Sequence, residues 1–289
     1  MGSEMCIRDS LRAVLGPAHI AILLATGVGV GFAQGSLGLG GSFIMTPVTL
    51  AIFTGIGVPV DAAVKLAFGT SLAVVFVTAI GSSLAHHRRG AVWWRAAVIF
   101  GVTGVAGAAL GSTVTTRFIH GHVLKVAFGG LVMLAAARLL TAKPPQAEDV
   151  PRDTPLLWAA CGLPLGLVYG LIAIGGGIVT VPLMTLGLRF GVHRAVATST
   201  ALMMFTAGAA ALGYVLNGIG SPGLPDQSIG YVHLLAWVCL AGTSLPMSQI
   251  GARVAHRLTE RVLRTVFVVV MFYLGLRMVG LFESLGWPL

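Results

Sequence analysis

The chain has 289 residues, of which 56% are hydrophobic and only 9% are charged, and its mean hydropathy is +0.93. Soluble domains carry about 25% charged residues, so this composition excludes a soluble globular protein and indicates an integral membrane protein. The net charge of +9 is assigned to loops that face anionic lipid, and it gives no support for nucleic-acid binding.

The first ten residues, MGSEMCIRDS, have neither helical periodicity nor apolar character. A common sequencing adapter would encode MCIRDS, so residues 1–16 are predicted to be an N-terminal extension that is partly non-native. A cleaved signal peptide that ends near Ala33 is the alternative interpretation of residues 11–35. It is disfavoured because the glycine pattern of that stretch recurs in the middle of the chain, where nothing is cleaved.

Apolar runs follow in two sets of five. The first set lies at about 17–35, 42–54, 62–85, 92–116 and 122–141, and the second at about 155–173, 177–188, 195–216, 229–246 and 261–281. A transmembrane helix needs about 20 apolar residues, so the chain has room for about 8 to 10 segments. The second and seventh runs are too short to span alone, and each is expected to be part of a broken or re-entrant helix. Proline and charge make residues 142–154 a linker.

The chain contains an internal duplication. Residues 27–47, GVGVGFAQGSLGLGGSFIMTP, match residues 162–182, GLPLGLVYGLIAIGGGIVTVP, at a shift of 135. The first three shared glycines of each copy lie on one helix face and allow close helix packing, whereas the following glycine pair interrupts the helix. Paired breaks in two halves of a membrane protein indicate a transporter's binding site, and packing alone is the alternative. The coincident positions are Gly27, Gly31, Gly35, Gly40, Gly41 and Pro47, which fall on Gly162, Gly166, Gly170, Gly175, Gly176 and Pro182.

The arginines predict opposite orientations for the two copies. The loop after the third run holds Arg88, Arg89 and Arg95, whereas its counterpart, residues 217–228, holds no Lys or Arg. By the positive-inside rule these loops lie on opposite sides of the membrane. The predicted fold class is therefore an all-α integral membrane protein, a polytopic helical bundle with two inverted-topology repeats. Its domains are repeats at 17–141 and 155–289, joined by a cytoplasmic linker at 142–154.

The predicted membrane interior contains no acidic residue. No Asp or Glu occurs in residues 62–147, 154–225 or 227–259. A buried cation needs a counter-charge, so this absence argues for an anionic or neutral substrate. An anion would find free N–H groups and a positive dipole end at helices that begin after Gly41 and Gly177.

Repeated polar residues complete the candidate site. The TS pair of AFGTSLA recurs in AVATSTA, and two basic residues precede these motifs at equivalent positions. Single hydroxyls usually bond their own helix, and basic residues at segment ends usually snorkel, so the duplication is what favours binding. The predicted substrate-binding residues are Gly40, Gly41, Ser42, Thr70, Ser71, Gly175, Gly176, Gly177, Thr198, Ser199, Lys65 and His193, with Pro47 and Pro182 as structural residues.

No metal, cofactor or catalytic site is predicted. The His86-His87 pair and the His120-x-His122 pair lie beside arginines or in short loops, without a nearby acid or cysteine. Neither an HExxH motif, nor a phosphate-binding loop, nor a convincing Ser/His/Asp set is present, so an intramembrane enzyme is the weaker hypothesis.

The duplicated motifs resemble those of the sulfite exporter TauE/SafE family of bacterial membrane permeases. The resemblance rests on GLGGSFIMTP and AIGGGIVTVP, each followed by its TS motif, and extends over residues 17–281. It implies an inner-membrane, multi-pass permease that moves a small anion, such as sulfite or a sulfonate, by alternating access. The expected partners are this anion and the bilayer, and a homo-oligomer is compatible with the sequence. Ser42 stands where the family commonly has Gly, and Ala173 stands where the first copy has Gly38.

Two alternatives stay open at this point. One is a permease for a neutral or cationic solute, and the other is a membrane-embedded binding or assembly protein that transports nothing. Solute flux separates the second alternative from both permeases, and competition among anions separates the two permeases from each other.

Overall fold

The computed structural model describes residues 15–38, 40–141, 154–254 and 260–280, and these are almost entirely helical. The predictions for residues 1–14 and for linker residues 142–153 lie outside the described residues. Each predicted apolar run contains an α-helix, and seven of the described helices are long and apolar enough to cross a membrane. The predicted all-α polytopic membrane fold is therefore confirmed. The first half comprises α1 (Pro17–Leu37), α2 (Ser42–Gly55), α3 (Val60–His87), α4 (Trp94–Phe118) and α5 (Gly121–Thr141). The second comprises α6 (Pro155–Ile172), α7 (Gly177–Pro182), a π-helical segment (Leu183–Gly187), α8 (Val192–Gly218), α9 (Leu234–Val254) and α10 (Glu260–Val279).

The start of the ninth run differs from the prediction. Instead of beginning a helix near residue 229, the chain forms a short antiparallel hairpin in which β1 (Ser228–Ile229) pairs with β2 (Val232–His233). Gly230 in the turn has a φ of +54°, which a right-handed helix cannot contain. The N–H of Tyr231 donates to the carbonyl of Tyr214 in α8 at 3.2 Å. This bond ties the hairpin to the bundle, and α9 begins only after it.

Two helices are too short to span a bilayer by themselves. At 1.5 Å per residue, the 14 residues of α2 extend about 21 Å, compared with a hydrocarbon core of about 30 Å. Helix α7 has 6 residues and continues into a π-helical segment of 5. Both helices contain the predicted structural proline, Pro47 or Pro182. A proline inside a helix removes one backbone hydrogen bond, and the π-helical segment directly follows Pro182.

The two halves exchange equivalent contacts. Helix α1 packs mainly on α9, and α6 packs mainly on α4, so the first helix of each half lies against the fourth helix of the other. The third helices, α3 and α8, contact each other, and so do the fifth helices, α5 and α10. Gly69 lies against Tyr214, and Phe76 lies against Gly208. Residue numbers therefore rise along α3 while they fall along α8, so these two equivalent helices run antiparallel.

The glycine stripes of α1 and α6 are the surfaces of closest helix contact. A methyl group on Gly31 would lie only 2.6 Å from the Cα atom of Ser244 in α9. In the equivalent contact, a methyl group on Gly166 would lie 2.7 Å from the carbonyl carbon of Gly104 in α4. Because glycine lacks a side chain, the backbones touch directly, as they do in small-residue packing motifs of membrane helices. The glycines upstream of the breaks therefore serve helix packing.

Candidate functional site

The two glycine breaks lie directly against each other in the buried interior. Helix α1 is capped at its C-terminal end by Gly38 with a φ of +64°, and α6 by Ala173 with a φ of +54°, so both close with a left-handed residue. Ala173 thus keeps the conformation of its glycine counterpart, at a steric cost of about 1 to 2 kcal/mol. A methyl group on Gly40 would lie 2.9 Å from the carbonyl carbon of Gly175. Neither break has room for a side chain where Gly40 and Gly175 face each other.

The second glycine of each break contacts a side chain of the protein itself. Gly41 has a φ of −78°, whereas Gly176 has a φ of +79°, so the two breaks are not identical. A methyl group on Gly41 would overlap the side chain of Val30, and one on Gly176 would lie 2.9 Å from Cγ of Met203. Gly177 begins α7. A ligand between the breaks therefore requires these side chains, or the helices that carry them, to move.

Ser42 is the predicted site residue whose side chain faces the opposite break. It is fully buried, and a methyl group on Gly175 would lie 2.6 Å from its Oγ atom. Its hydroxyl has no hydrogen-bond partner among the described residues. Leaving a buried polar group without a partner costs about 1 to 3 kcal/mol, so such positions call for a functional explanation.

A polar pair that the sequence analysis overlooked lies beside the breaks. Gln34 and Tyr169 occupy the same position in the two copies, one residue before the third glycine of each stripe. The Tyr169 hydroxyl donates to the carbonyl of Gly176 at 2.7 Å. The Gln34 Oε1 atom accepts a 2.7 Å bond from the Thr78 hydroxyl, while its buried Nε2 atom has no partner among the described residues. The shift of 135 that aligns the glycines also aligns this pair, although the two side chains differ in type.

The threonines of the repeated hydroxyl pairs join the two halves. Thr70 Oγ1 accepts a 3.0 Å bond from the N–H of His233, and Thr198 Oγ1 accepts a 3.1 Å bond from the N–H of Trp93. His233 and Trp93 immediately precede α9 and α4. Each threonine therefore holds the start of the fourth helix of the opposite half, a structural role that sequence reasoning did not predict.

The serines of these pairs lie nearer to the breaks. The Thr46 hydroxyl donates to Ser71 Oγ at 3.2 Å, and both residues are fully buried. The Ser199 hydroxyl donates to the carbonyl of Val196 in its own helix at 2.9 Å and lies 3.4 Å from the carbonyl of Gly38. Ser199 thus reaches the end of α1, so the structure brings it to the first break.

The two equivalent basic residues lie in different surroundings. The buried ammonium of Lys65 forms a 2.9 Å ion pair with Asp61, whose half-exposed carboxylate also accepts the N–H of Gly121. His193 is exposed near the start of α8. Because α3 and α8 are antiparallel, the structure places these two residues at opposite ends of the helix pair and does not bring them together.

His233 is a buried titratable residue that the sequence analysis did not single out. Only 1% of its surface is exposed, its Nδ1 atom accepts a 3.3 Å bond from the N–H of Ala236, and its Nε2 atom has no partner among the described residues. Burial lowers the pKa of His233 below its usual value. The ring is therefore neutral near pH 7.

Comparison with known proteins finds one matching family and several relatives described as membrane transporters. The sulfite exporter TauE/SafE profile matches residues 23–278. The chain is 28% identical over 261 residues to a "Probable membrane transporter protein" of Methanocaldococcus jannaschii, covering 90% of this chain and 95% of that protein. It is 26% identical over 259 residues to a protein of the same description from Haemophilus influenzae, covering 90% and 97%. A Xylella fastidiosa relative is 34% identical over 184 residues, covering 62% and 68%. No solved structure matches the chain.

Proposed function

This chain belongs to the sulfite exporter TauE/SafE family of membrane transporters, and we propose that it moves a small anion across the inner membrane of a bacterial cell. The proposed substrates are sulfite, a sulfonate or a related organic anion. Its relatives are described as membrane transporter proteins, and its long apolar helices make it a multi-pass membrane protein. The proposal adds the charge of the substrate, the place where it binds and the way it crosses.

The observation that carries the proposal is the excess of hydrogen-bond donors over negative charge at the breaks. Among the described residues, no carboxylate is buried. Within the described part of the chain, the Ser42 hydroxyl and the Gln34 amide nitrogen are buried there without hydrogen-bond partners. The first turn of α2 also directs its N–H groups and the positive end of its dipole towards the break. Such surroundings stabilise an anion and offer no counter-charge to a cation.

The proposed mechanism is alternating access between two inverted repeats. Its support is the exchange of equivalent contacts between the halves and the antiparallel direction of α3 and α8. The substrate binds where Gly40 meets Gly175, and it gains access when one half rocks against the other. In the arrangement described here, Val30 and Met203 fill the space beside the breaks, which corresponds to a closed site.

Flux measurements in proteoliposomes test the proposal. We expect uptake of sulfite that sulfoacetate, thiosulfate or simple carboxylates inhibit and that neutral or cationic solutes do not. Gly41→Leu and Gly176→Leu should abolish flux in inserted protein, because the added side chains must displace Val30 and Met203, which lie against these glycines. A preference for cations, or the absence of any solute flux, would overturn the anion-permease proposal.

Ser42→Ala is the sharper test of the site. A hydrogen bond to a charged group contributes about 1.5 to 3 kcal/mol, so this change should weaken anion affinity roughly 10- to 150-fold. Ser36→Ala is the matched control, because the Ser36 hydroxyl bonds the carbonyl of Phe32 in its own helix at 2.7 Å. Equal affinities in the two variants would place the substrate elsewhere.

A further inference from the structure

A pocket between the ends of α3 and α9 brings three arginines together. The Arg89 Nη1 atom donates a 2.6 Å bond to the carbonyl of Ala252, which fixes this side chain beside α9. No carboxylate whose side chain the structure describes forms an ion pair with Arg88, Arg89 or Arg253. The pocket is lined by Gly81, Leu84, Ala85, Arg88, Arg89, Gln249 and Arg253.

The equivalent place in the other half is built differently. When Thr70 is aligned with Thr198, Arg89 falls on Asn217. The backbone N–H groups that these two threonines accept belong to His233 and Trp93. When these two residues are aligned, Arg253 falls on Thr113. Asn217 Nδ2 donates to Thr113 Oγ1 at 3.2 Å, and Asn217 Oδ1 accepts a 3.3 Å bond from Arg117. A neutral hydrogen-bonded pair and one arginine thus stand where the first half has three arginines. The three arginines are exposed, and an anion that binds between them is attracted by all three charges.

One face of α3 runs from this pocket towards the glycine breaks. Gly81 forms part of the pocket wall. Three residues earlier on α3, Thr78 bonds Gln34, whose buried amide nitrogen lacks a partner among the described residues. Three residues earlier again, the Val75 side chain would lie 3.4 Å from a methyl group on Gly175. The 13 residues from the pocket arginines to this contact span about 20 Å along α3, which is the distance between the pocket and the breaks.

We infer that this pocket is a recruitment site for the transported oxyanion on the face of the membrane where α3 ends. The inference rests on the proposed function and adds the route by which the substrate enters. Planar guanidinium groups donate two parallel hydrogen bonds to an oxyanion, which suits sulfite and sulfonate groups. Arg89 is held in place by its backbone bond, while Arg88 and Arg253 add attraction. The anion then passes Gly81, where the Leu245 side chain lies 2.5 Å from the position of an added methyl group and must move aside, and reaches the amide of Gln34.

The test is one-sided transport kinetics. The double variant Arg89→Asn with Arg253→Thr gives the pocket the side chains of its neutral counterpart. In proteoliposomes of known orientation, KM for sulfite that enters from the arginine face should rise about 10-fold or more at unchanged Vmax. Entry from the opposite face should keep its KM and lose Vmax in the same proportion, because a variant cannot change the equilibrium between the two sides. High salt should shrink the difference. Arg95→Gln with Arg194→Gln is the control, since it removes two charges outside the pocket and should change KM less than 2-fold.

Several outcomes would overturn the inference. An unchanged KM, or an equal rise from both faces, contradicts a recruitment site. An anionic lipid headgroup offers the pocket the same chemistry as the substrate. Transport is therefore also measured in vesicles of phosphatidylcholine with and without phosphatidylglycerol. If wild-type transport needs the anionic lipid and the double variant loses that need, the pocket holds a lipid headgroup instead. If the double variant does not insert, Arg88→Gln is measured in its place against the same criteria. No sulfite flux in the wild type would overturn the proposed function and this inference together, whereas flux with unchanged KM overturns the inference alone.

Discussion

One added methyl group on the packed face of α1 should push two helices apart, whereas the same change on its exposed side should not. A methyl group on Gly35 would lie 2.7 Å from the carbonyl carbon of Ser248 and 2.8 Å from the backbone nitrogen of Ala252. Atoms in contact normally lie about 3.5 to 4.0 Å apart, so α1 must move away from α9 by roughly 1 Å. Overpacking of this kind costs about 1 to 3 kcal/mol. Gly29 is exposed and would have no atom within 4 Å of its methyl group, so Gly29→Ala gains up to about 1 kcal/mol of helix propensity.

Thermal unfolding of the detergent-purified protein, followed by tryptophan fluorescence, measures this difference. A change of 1 kcal/mol shifts the unfolding midpoint of a chain of this size by about 2 to 4 °C. Gly35→Ala should therefore lower the midpoint by about 2 to 12 °C, and Gly29→Ala should raise it by up to about 4 °C. Gly170→Ala should behave like Gly35→Ala, because its methyl group would lie 2.7 Å from the backbone nitrogen of Ser112. Equal midpoints for Gly35→Ala and Gly29→Ala would refute the role assigned to the stripe.

Three further predictions address the contacts between the halves, the topology and the buried histidine. Thr70→Val leaves the N–H of His233 buried without its acceptor and should cost about 1 to 3 kcal/mol of stability, as should Thr198→Val for the N–H of Trp93. Thr70→Ser keeps the acceptor and is the control. Equal melting temperatures of Thr70→Val and Thr70→Ser would contradict this role. Cysteines placed at Arg88 and Ser221, in a background without native cysteines, should react with a membrane-impermeant reagent from opposite sides, and labelling from one side would rule out the inverted topology. Because burial holds the pKa of His233 below its usual 6.5, the unfolded chain takes up that proton first as the pH falls, so the wild type should lose stability relative to His233→Gln once the pH falls below about 6.5; parallel losses in both proteins would argue against it.

Sequence reasoning succeeded where structure depends on local pattern. Most apolar runs end near a glycine, a proline or a charge, so most helices could be placed within a few residues. The exception is α9, which continues through Pro246 to Val254, past the predicted end of its run at residue 246. The hairpin at 228–233 was missed because Tyr231 and Val232 look like the continuation of an apolar run. What stops the helix there is the positive φ of Gly230 and a bond to Tyr214, and that bond depends on where α8 ends in space.

The candidate site was only partly predictable for the same reason. The TS motifs were found by their repetition, but the partners of Thr70 and Thr198 are backbone donors more than 100 residues away, which leave no mark in the local sequence. Gln34 and Tyr169 were overlooked because the two copies were compared by identical residues, and these two polar residues differ in type. The three arginines of the pocket were read only as a signal of sidedness, since Arg253 joins the other two through tertiary packing.

The packing of α1 on α9 has a consequence for how the protein is made. Helix α1 ends at Leu37 and α9 begins at Leu234, so a ribosome that adds about 5 to 20 residues per second needs roughly 10 to 40 s to supply the partner. During synthesis the glycine face of α1 is covered by lipid or by the insertion machinery. A nascent chain that stops after α8 therefore lacks the helix on which α1 packs, and we expect it to be a target of proteolysis. Two fragments divided within residues 142–153 should each be degraded when made alone and should protect each other when they are made in the same cell.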